Sequence, residues 1–501
     1  MRFGAVILAT IAVAQAAVVS HEWRGSTLIL KLDDGAAEME WISGVAFRFT
    51  RTWGDQADRL PAILHDATKV DMEARPDSFF MKTRYMNVEL NRANLAMRVR
   101  SVDADVAELE LKRVADGAEL HITPLDKTLG GPPFFMTRSG FGMYLRHPSR
   151  WSVDVARSVA AAPRTDSIHY IFYYGPTLKE MLEQHLTVTG SSEMNVDALV
   201  PRPAEPVSPK ATHIEQPHVD SWDSLAALVR KLNRGSLSAV LYPALDLSFA
   251  DKAPADVRQR AQDLSTWVPV LFGSGAVDRA TRERWKPYWI TYLREAHDRG
   301  FPLIRPLEMQ FSRDPNAGRQ PDVFMFGDEL LLAPVVAPGG KRRLDLPMGI
   351  WTDLRTNQEY KGRQTVEVDA PAGQVPMFSR NGALFPIATS GTIELHYFPS
   401  LGGEFFLWEP QANENSQFHA SPAADYLRLE SESKLQRTYE WVVHHAGAPR
   451  EVKEGATSYR RVAERSQLRP NTWWHDIDRN DLHVMLRAEA ASDRIINIAF
   501  P

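Results

Sequence analysis

The stretch that most restricts the fold runs from Phe324 to Pro386. It opens with Phe324-Met-Phe-Gly-Asp-Glu-Leu-Leu-Leu-Ala-Pro-Val335, an apolar run too continuous for a half-exposed strand, and then stops at Pro and Gly. Pro347-Met-Gly-Ile-Trp351-Thr-Asp-Leu and Val375-Pro-Met-Phe-Ser-Arg-Asn-Gly-Ala-Leu-Phe-Pro386 follow as short β-rich segments cut by turn residues. A buried apolar run followed by short strands suits a helical or barrel domain passing into a β-sandwich.

With 501 residues the chain has room for two to four domains, and its apolar and charged fractions are those of packed globular cores. A formal net charge of -5, with no long block of one sign, points to neither nucleic acid nor an anionic membrane surface as a partner. The absence of cysteine excludes disulfides, thiolate metal sites and thiol nucleophiles. Arg2, the apolar run Ala5 to Val13 and the small residues of Ala14-Gln-Ala16 make residues 1–16 a secretory signal peptide, cleaved near Ala16, with a buried strand as the competing reading. The run is too short to span a membrane, and no later stretch reaches the roughly twenty apolar residues a spanning helix needs. The expectation is a mature protein that is secreted or periplasmic and free of the membrane.

From His21 to about Thr187 the pattern is of short, mostly alternating strands, among them Leu28-Ile-Leu-Lys-Leu, Val45-Ala-Phe-Arg-Phe-Thr, Met97-Arg-Val-Arg-Ser-Val and Leu120-His-Ile-Thr. Many strands at close spacing predict a β-sandwich. Thr177, with Glu180 three residues on, is placed to cap a helix. Asp197 to Lys210 is so rich in proline that it can be neither helix interior nor central strand, and reads as an extended linker. Ser221 to Leu232 predicts a helix, Leu237 to Tyr242 a strand, and Arg279 to Arg299 a longer helix whose Trp285, Trp289, Leu293 and Ala296 share one face, with Pro287 expected to kink or divide it.

The run from Phe324 to Pro386 closely resembles the end of the catalytic barrel and the first C-terminal β-domain of glycoside hydrolase family 31, the α-glucosidase and α-xylosidase family. Gly131-Pro-Pro-Phe-Phe-Met-Thr-Arg-Ser-Gly-Phe-Gly-Met-Tyr144 and Tyr170-Ile-Phe-Tyr-Tyr-Gly-Pro-Thr-Leu-Lys-Glu-Met181 are similar to that family's N-terminal sandwich and its exit helix. Gly391-Thr-Ile-Glu-Leu-His-Tyr397 and Glu404-Phe-Phe-Leu-Trp408 are similar to its distal C-terminal sandwich. The resemblance implies a multidomain, mainly β chain with an α/β part. Its expected divisions are a signal peptide at 1–16, a galactose-mutarotase-like N-terminal β-sandwich at 17–190 and a Pro-rich linker at 191–220. A shortened remnant of a (β/α)8 barrel is expected at 221–315, ending in the strand Phe301 to Leu307, with C-terminal β-sandwich domains at 316–388 and 389–501. A closed barrel takes about 200 residues or more, far beyond what lies between Gly190 and Pro315. Either the remainder packs as a partial α/β unit, which is preferred, or a second copy completes it and the protein is an oligomer.

The same resemblance implies retaining hydrolysis of α-linked O-glycosyl bonds in an α-glycan or oligosaccharide, with no cofactor and no metal. Such chemistry needs two carboxyl groups about 5 Å apart. The family's nucleophile lies in a Trp-x-Asp-Met-Asn-Glu type of run that this chain lacks, and its acid/base position falls on Pro217, which transfers no protons. Asp220 is the nearest substitute, although it and Ser221 also stand where a helix N-cap belongs. Glu215, Asp223 and His218 read as polar surface. Asp246 matches the family's sugar-binding Asp at the end of a barrel strand, a carboxylate suited to accepting two hydroxyls. Ser274 stands where the family has a sugar-binding His. Arg305 and Asp328 match scaffold positions and, if buried, must be paired. Trp473 and Trp474 read as packing between hairpins.

Three readings follow. One is an active hydrolase with Asp246 and Asp220 in one cleft about 5–9 Å apart. The second is a carbohydrate-binding protein on a degenerate hydrolase scaffold, and the third a partner of an intact relative. The missing nucleophile segment favours impaired catalysis.

Overall fold

The computed structural model describes residues 17–54, 68–126, 128–131, 133–146, 151–190, 214–215, 218–235, 237, 244–246, 250–272 and 277–501. The signal peptide and the proline-rich linker lie outside them, as do Pro217, Ser274 and residues 238–243. The chain divides into two compact units, residues 1–190 and 191–501, and is mainly β with few helices.

The first unit is two eight-stranded antiparallel sheets. Alternation in the sequence decides which side chains meet between them: Met86–Asn91 buries every second residue, as does Met97–Ser101 over most of its length. Leu28, Met39, Phe49 and Phe172 from one sheet and Met81, Val88, Val99 and Leu120 from the other form one core. Helix α1, Leu178–Thr189, begins at Thr177 with the expected capping box, the Thr177 side chain accepting from the Glu180 N–H while the Glu180 carboxylate accepts from the Thr177 N–H. It buries Leu178, Met181, Leu182 and His185. The His185 ring stacks on Phe134 with centroids 3.9 Å apart, and its Nδ1 lies 3.3 Å from the Tyr173 hydroxyl.

The second unit begins with three short parallel strands, Ile214–Glu215, Ala244–Asp246 and Val270–Phe272, in that order across the sheet. Helix α2, Trp222–Gly235, joins the first to the second, and helix α3, Ala255–Ser265, the second to the third. The strand expected over Leu237–Tyr242 falls almost wholly on residues 238–243, outside the described ones; the described central strand is Ala244–Asp246. Helix α4, Arg279–Arg299, is not divided at Pro287. Its apolar face is too well packed to break there: Trp289, Leu293 and Ala296 have no exposed surface, and Trp285 is 8% exposed.

Among the described residues Ile304–Pro306, expected as the last barrel strand, pairs with none of the three parallel strands. It pairs antiparallel with Phe324–Phe326 and opens a six-stranded sheet that continues through Leu330–Leu332, Met377–Arg380, Ile350–Asp353 and Glu359–Lys361. The reason lies in its partner: after residues 307–323 the apolar run returns along Ile304–Pro306 in antiparallel register, so this strand opens the sheet that follows. This sheet also explains the continuous apolar run. Phe324, Phe326, Leu330 and Leu332 enter the core shared with α2, α3 and α4, while Met325 and Leu331 enter a second core with Leu344, Trp351 and Val366. Both faces are covered, so neither tolerates polar residues.

Lys341–Leu346 and Gln364–Asp369 pair as a two-stranded sheet, and the strands from Leu384 onward form two six-stranded sheets whose side chains, among them Leu395, Tyr397, Trp441, Leu429 and Ile496, continue the larger core. Gly327, between Phe326 and Leu330, sits at φ +66°, and a Cβ there would lie 2.5 Å from Tyr292 Cε2 and 2.7 Å from its Cζ. Gly327→Ala is therefore expected to cost about 1–3 kcal/mol through overpacking and backbone strain. A denaturation midpoint equal to that of the parent chain would contradict this.

Candidate functional site

Parallel α/β sheets present ligands at the carboxyl ends of their strands, because loops of independent length converge there. In this chain that edge is formed by Glu215, Asp246 and Phe272. Asp246 ends the central strand and pairs in register with Phe272, while Glu215 is in register with Leu245. Leu245 and Leu271 are buried in the core and anchor the sheet beneath this edge.

Asp220 and His218 precede α2 on the exposed surface. His218 Nε2 is 3.3 Å from Asp220 Oδ2, and Ser224 Oγ donates to Asp220 Oδ1 at 3.3 Å. Ser221 is the true cap, its Oγ accepting from the Ser224 N–H at 3.3 Å. Hydrogen bonding from Ser221, aided by Ser224 and His218, holds the Asp220 carboxyl below the usual carboxylate range. A general acid near neutral pH needs the opposite tuning. Asp223 is an exposed first-turn residue of α2, where a negative charge favours the helix dipole.

Arg305 and Asp328 are paired, as their apolar surroundings require. Arg305 is fully buried, and its guanidinium meets both Asp328 and Glu295. The adjacent Glu329 is buried as well and accepts from the hydroxyls of Tyr288 and Tyr292. Burial, then the charge of Asp328, pushes the Glu329 carboxyl up to about 7. Glu295 and Glu329 were missed in the sequence, although Tyr288, Tyr292 and Glu295 stand at helical spacing on α4 and mark the polar stripe that meets them.

A second unanticipated network lies in the C-terminal sandwich. His396 Nε2 is 3.1 Å from Glu394 and its Nδ1 is 3.0 Å from His444 Nε2, while Arg465 bridges Glu394 and Glu440 at 2.6 and 3.0 Å. Trp473 is buried in the core and Trp474 stands 4.9 Å from His483, which makes both packing residues as expected. Among the described residues no group of three or more His, Cys, Asp or Glu could hold a metal ion, and no helix is long and apolar enough to cross a membrane.

Comparison with known proteins supplies the context. Residues 300–385 match the glycosyl hydrolase family 31 C-terminal domain. The chain is 35% identical over 103 residues to neutral alpha-glucosidase AB of Mus musculus, covering 20% of this chain and 11% of that one. It is 28% identical over 193 residues to alpha-glucosidase 2 of Bacillus thermoamyloliquefaciens, covering 33% of this chain and 24% of that one. The matches thus span 11% to 24% of these relatives' own length. In fold, the chain is similar to a Flavobacterium johnsoniae GH31 dextranase complexed with isomaltotriose, with a TM-score of 0.78 and 12% identity over 97% of this chain and 100% of that one. It is likewise similar to the cycloalternan-forming enzyme of Listeria monocytogenes in complex with a pentasaccharide substrate, with a TM-score of 0.80 and 13% identity over 97% and 77%.

Proposed function

This chain is a member of glycoside hydrolase family 31, and from that premise we propose that it recognises α-linked glucans or oligosaccharides on a catalytically impaired hydrolase scaffold. Residues 221–315 are the shortened barrel in this reading, with Asp246 contacting sugar hydroxyls at the carboxyl edge of the three parallel strands. Each strand-and-helix unit of a closed barrel takes roughly 30 residues, and residues 191–213 offer too few for the four units or more that would precede Ile214. The mature chain is assigned outside the cytoplasm on the strength of residues 1–16.

The observation that carries the impairment is Asp220: exposed, engaged with Ser224 and His218, and held in its ionised form. A retaining mechanism needs a carboxylic acid still protonated near neutral pH within about 5 Å of a nucleophilic carboxylate. Asp220 has the wrong proton affinity for the first role.

The test is hydrolysis of a panel of aryl α-glycosides by the purified protein, with Asp246→Asn and Asp220→Asn alongside and folding checked for each. No turnover by any of the three is expected, together with saturable binding of an α-linked oligosaccharide that Asp246→Asn weakens at least tenfold. Turnover by the parent chain that either substitution abolishes would mean that a working carboxylate pair has been assembled, and the impairment would be wrong.

A further inference from the structure

Away from the carboxyl edge, a cavity of about 350 Å³ lies where the end of α3, the first turns of α4 and the segments around Asp353 and 369–377 come together. It is on the amino side of the third parallel strand, since Trp267 precedes Val270 whereas Asp246 pairs with Phe272 at the strand's exit. The size lies within the range of small-molecule sites, about 300–1,000 Å³.

The wall is held by buried polar contacts. Arg260, 8% exposed, donates to the carbonyls of Pro371 and Gln374 at 2.9 and 3.4 Å. Asp263 accepts from Arg260 at 3.1 Å and from the Gly373 N–H at 3.2 Å. The 369–377 segment is thereby fastened to α3. On the other side Asp278 spends both carboxylate oxygens on Thr281, capping α4 at 3.0 and 2.6 Å.

Three nearly buried residues that line this cavity carry a polar atom with no such partner. Asp353 is 4% exposed; its Oδ1 accepts from the N–H groups of Arg355 and Thr356 at 2.8 and 3.3 Å, and its Oδ2 accepts from no described residue. Trp267 and Trp285, each 8% exposed, are locked edge-to-face with centroids 5.5 Å apart, and neither indole N–H meets an acceptor in the described protein. None of these three atoms is among the orphaned groups sealed away from solvent. A buried donor or acceptor is costly unless water or a ligand satisfies it. The lining residues thus carry one strong acceptor and two donors that no described group uses.

The charges select among ligands. With Asp263 and Asp278 already engaged, two carboxylates, Asp353 and Asp369, stand against two guanidiniums, Arg284 and Arg355. A cation would be opposed by the arginines and an anion by the aspartates. A neutral hydroxyl compound, which donates and accepts at each oxygen, satisfies both. We propose that this cavity is a second carbohydrate site, taking a neutral sugar of monosaccharide size or the end of a longer chain. The assignment goes beyond the reading of the Asp246 edge and does not depend on it.

The experiment is calorimetric titration of the full chain with D-glucose, D-xylose and maltose, with indole fluorescence followed in parallel because Trp267 and Trp285 line the site. The binding that persists in Asp246→Asn is the one read: it is expected to saturate, and to become at least tenfold weaker when Asp353→Asn or Trp285→Phe, which keeps an aromatic ring but loses the N–H, is added to that background. Should either buried change fail to fold, the exposed Arg355→Gln is expected to weaken binding severalfold. Binding lost in Asp246→Asn and kept in all the cavity variants would overturn this site while leaving the proposed function intact. Failure of all three sugars to bind would overturn it as well, and saturation by inorganic phosphate or putrescine in their place would overturn the choice of a neutral ligand.

Discussion

Arg305→Met is expected to destabilise the second unit by about 3–5 kcal/mol, the cost of stripping the shared partner from two carboxylates in a buried setting. The guanidinium has no exposed surface, meets Glu295 from α4 and Asp328 from the apolar run, donates its Nε–H to the Pro302 carbonyl at 2.6 Å and lies 4.9 Å from the centre of the Tyr292 ring. Burial works against its charge, but Asp328 and Glu295 outweigh that and hold it above its ordinary affinity for the proton. Methionine retains much of the volume and none of the charge, so the loss reports the stranded carboxylates. Arg305→Met combined with Glu295→Gln and Asp328→Asn should recover most of the difference, because a site without charge no longer needs a partner. Urea denaturation followed by a signal specific to the second unit measures both. A single substitution within about 1 kcal/mol of the parent would place the pair in the weak, solvent-screened class instead.

The first unit should lose stability in acid through one residue. Burial against Phe134, Tyr144 and Tyr173 lowers the His185 proton affinity to about 3, from an ordinary 6.5. Between those values the unfolded chain binds a proton that the folded chain does not, so stability falls as pH falls from 6.5 toward 3 and is fully present above 6.5. At about 1.4 kcal/mol per pH unit the loss across that window is on the order of 4–5 kcal/mol. His185→Phe keeps the stack on Phe134 and removes the titrating group. Its first-unit melting temperature should therefore be nearly flat between pH 6.5 and 4, while the parent falls. Parallel pH profiles for the two proteins would show that the histidine is not the acid-sensitive element.

The two predictions rest on different kinds of legibility. That Arg305 and Asp328 must pair was readable from their neighbours, since a charge set among Ile304, Leu307, Phe326 and Leu330 has no other way to be buried. The third member, Glu295, is ten residues from Arg305 on another element, and only the packing of α4 brings it in. His185 carries no motif and drew no attention as a sequence position. Its low proton affinity comes from aromatic rings contributed by three adjacent strands of the N-terminal sheet, Phe134–Met136, Phe141–Leu145 and Ser167–Tyr174.

The candidate site divides in the same way. Asp246 and Asp220 were marked by the family resemblance, one matching a sugar-binding Asp and the other standing near the acid/base position. The cavity at α3 and α4 left no such mark, because Trp267, Trp285 and Asp353 come from separate segments of the chain and each looks in sequence like ordinary core or turn. Period and punctuation, being local, determined the strands of the first unit, the Thr177 cap, the apolar face of α4 and the double burial of Phe324 to Leu332. Partners distant along the chain were decided by tertiary structure alone: the antiparallel seat of Ile304–Pro306, the intact helix through Pro287, the second carboxylate on Arg305 and the unpartnered groups of the cavity. Local preference constrains a backbone within a few residues, whereas pairing and burial depend on which surfaces the folded chain presses together.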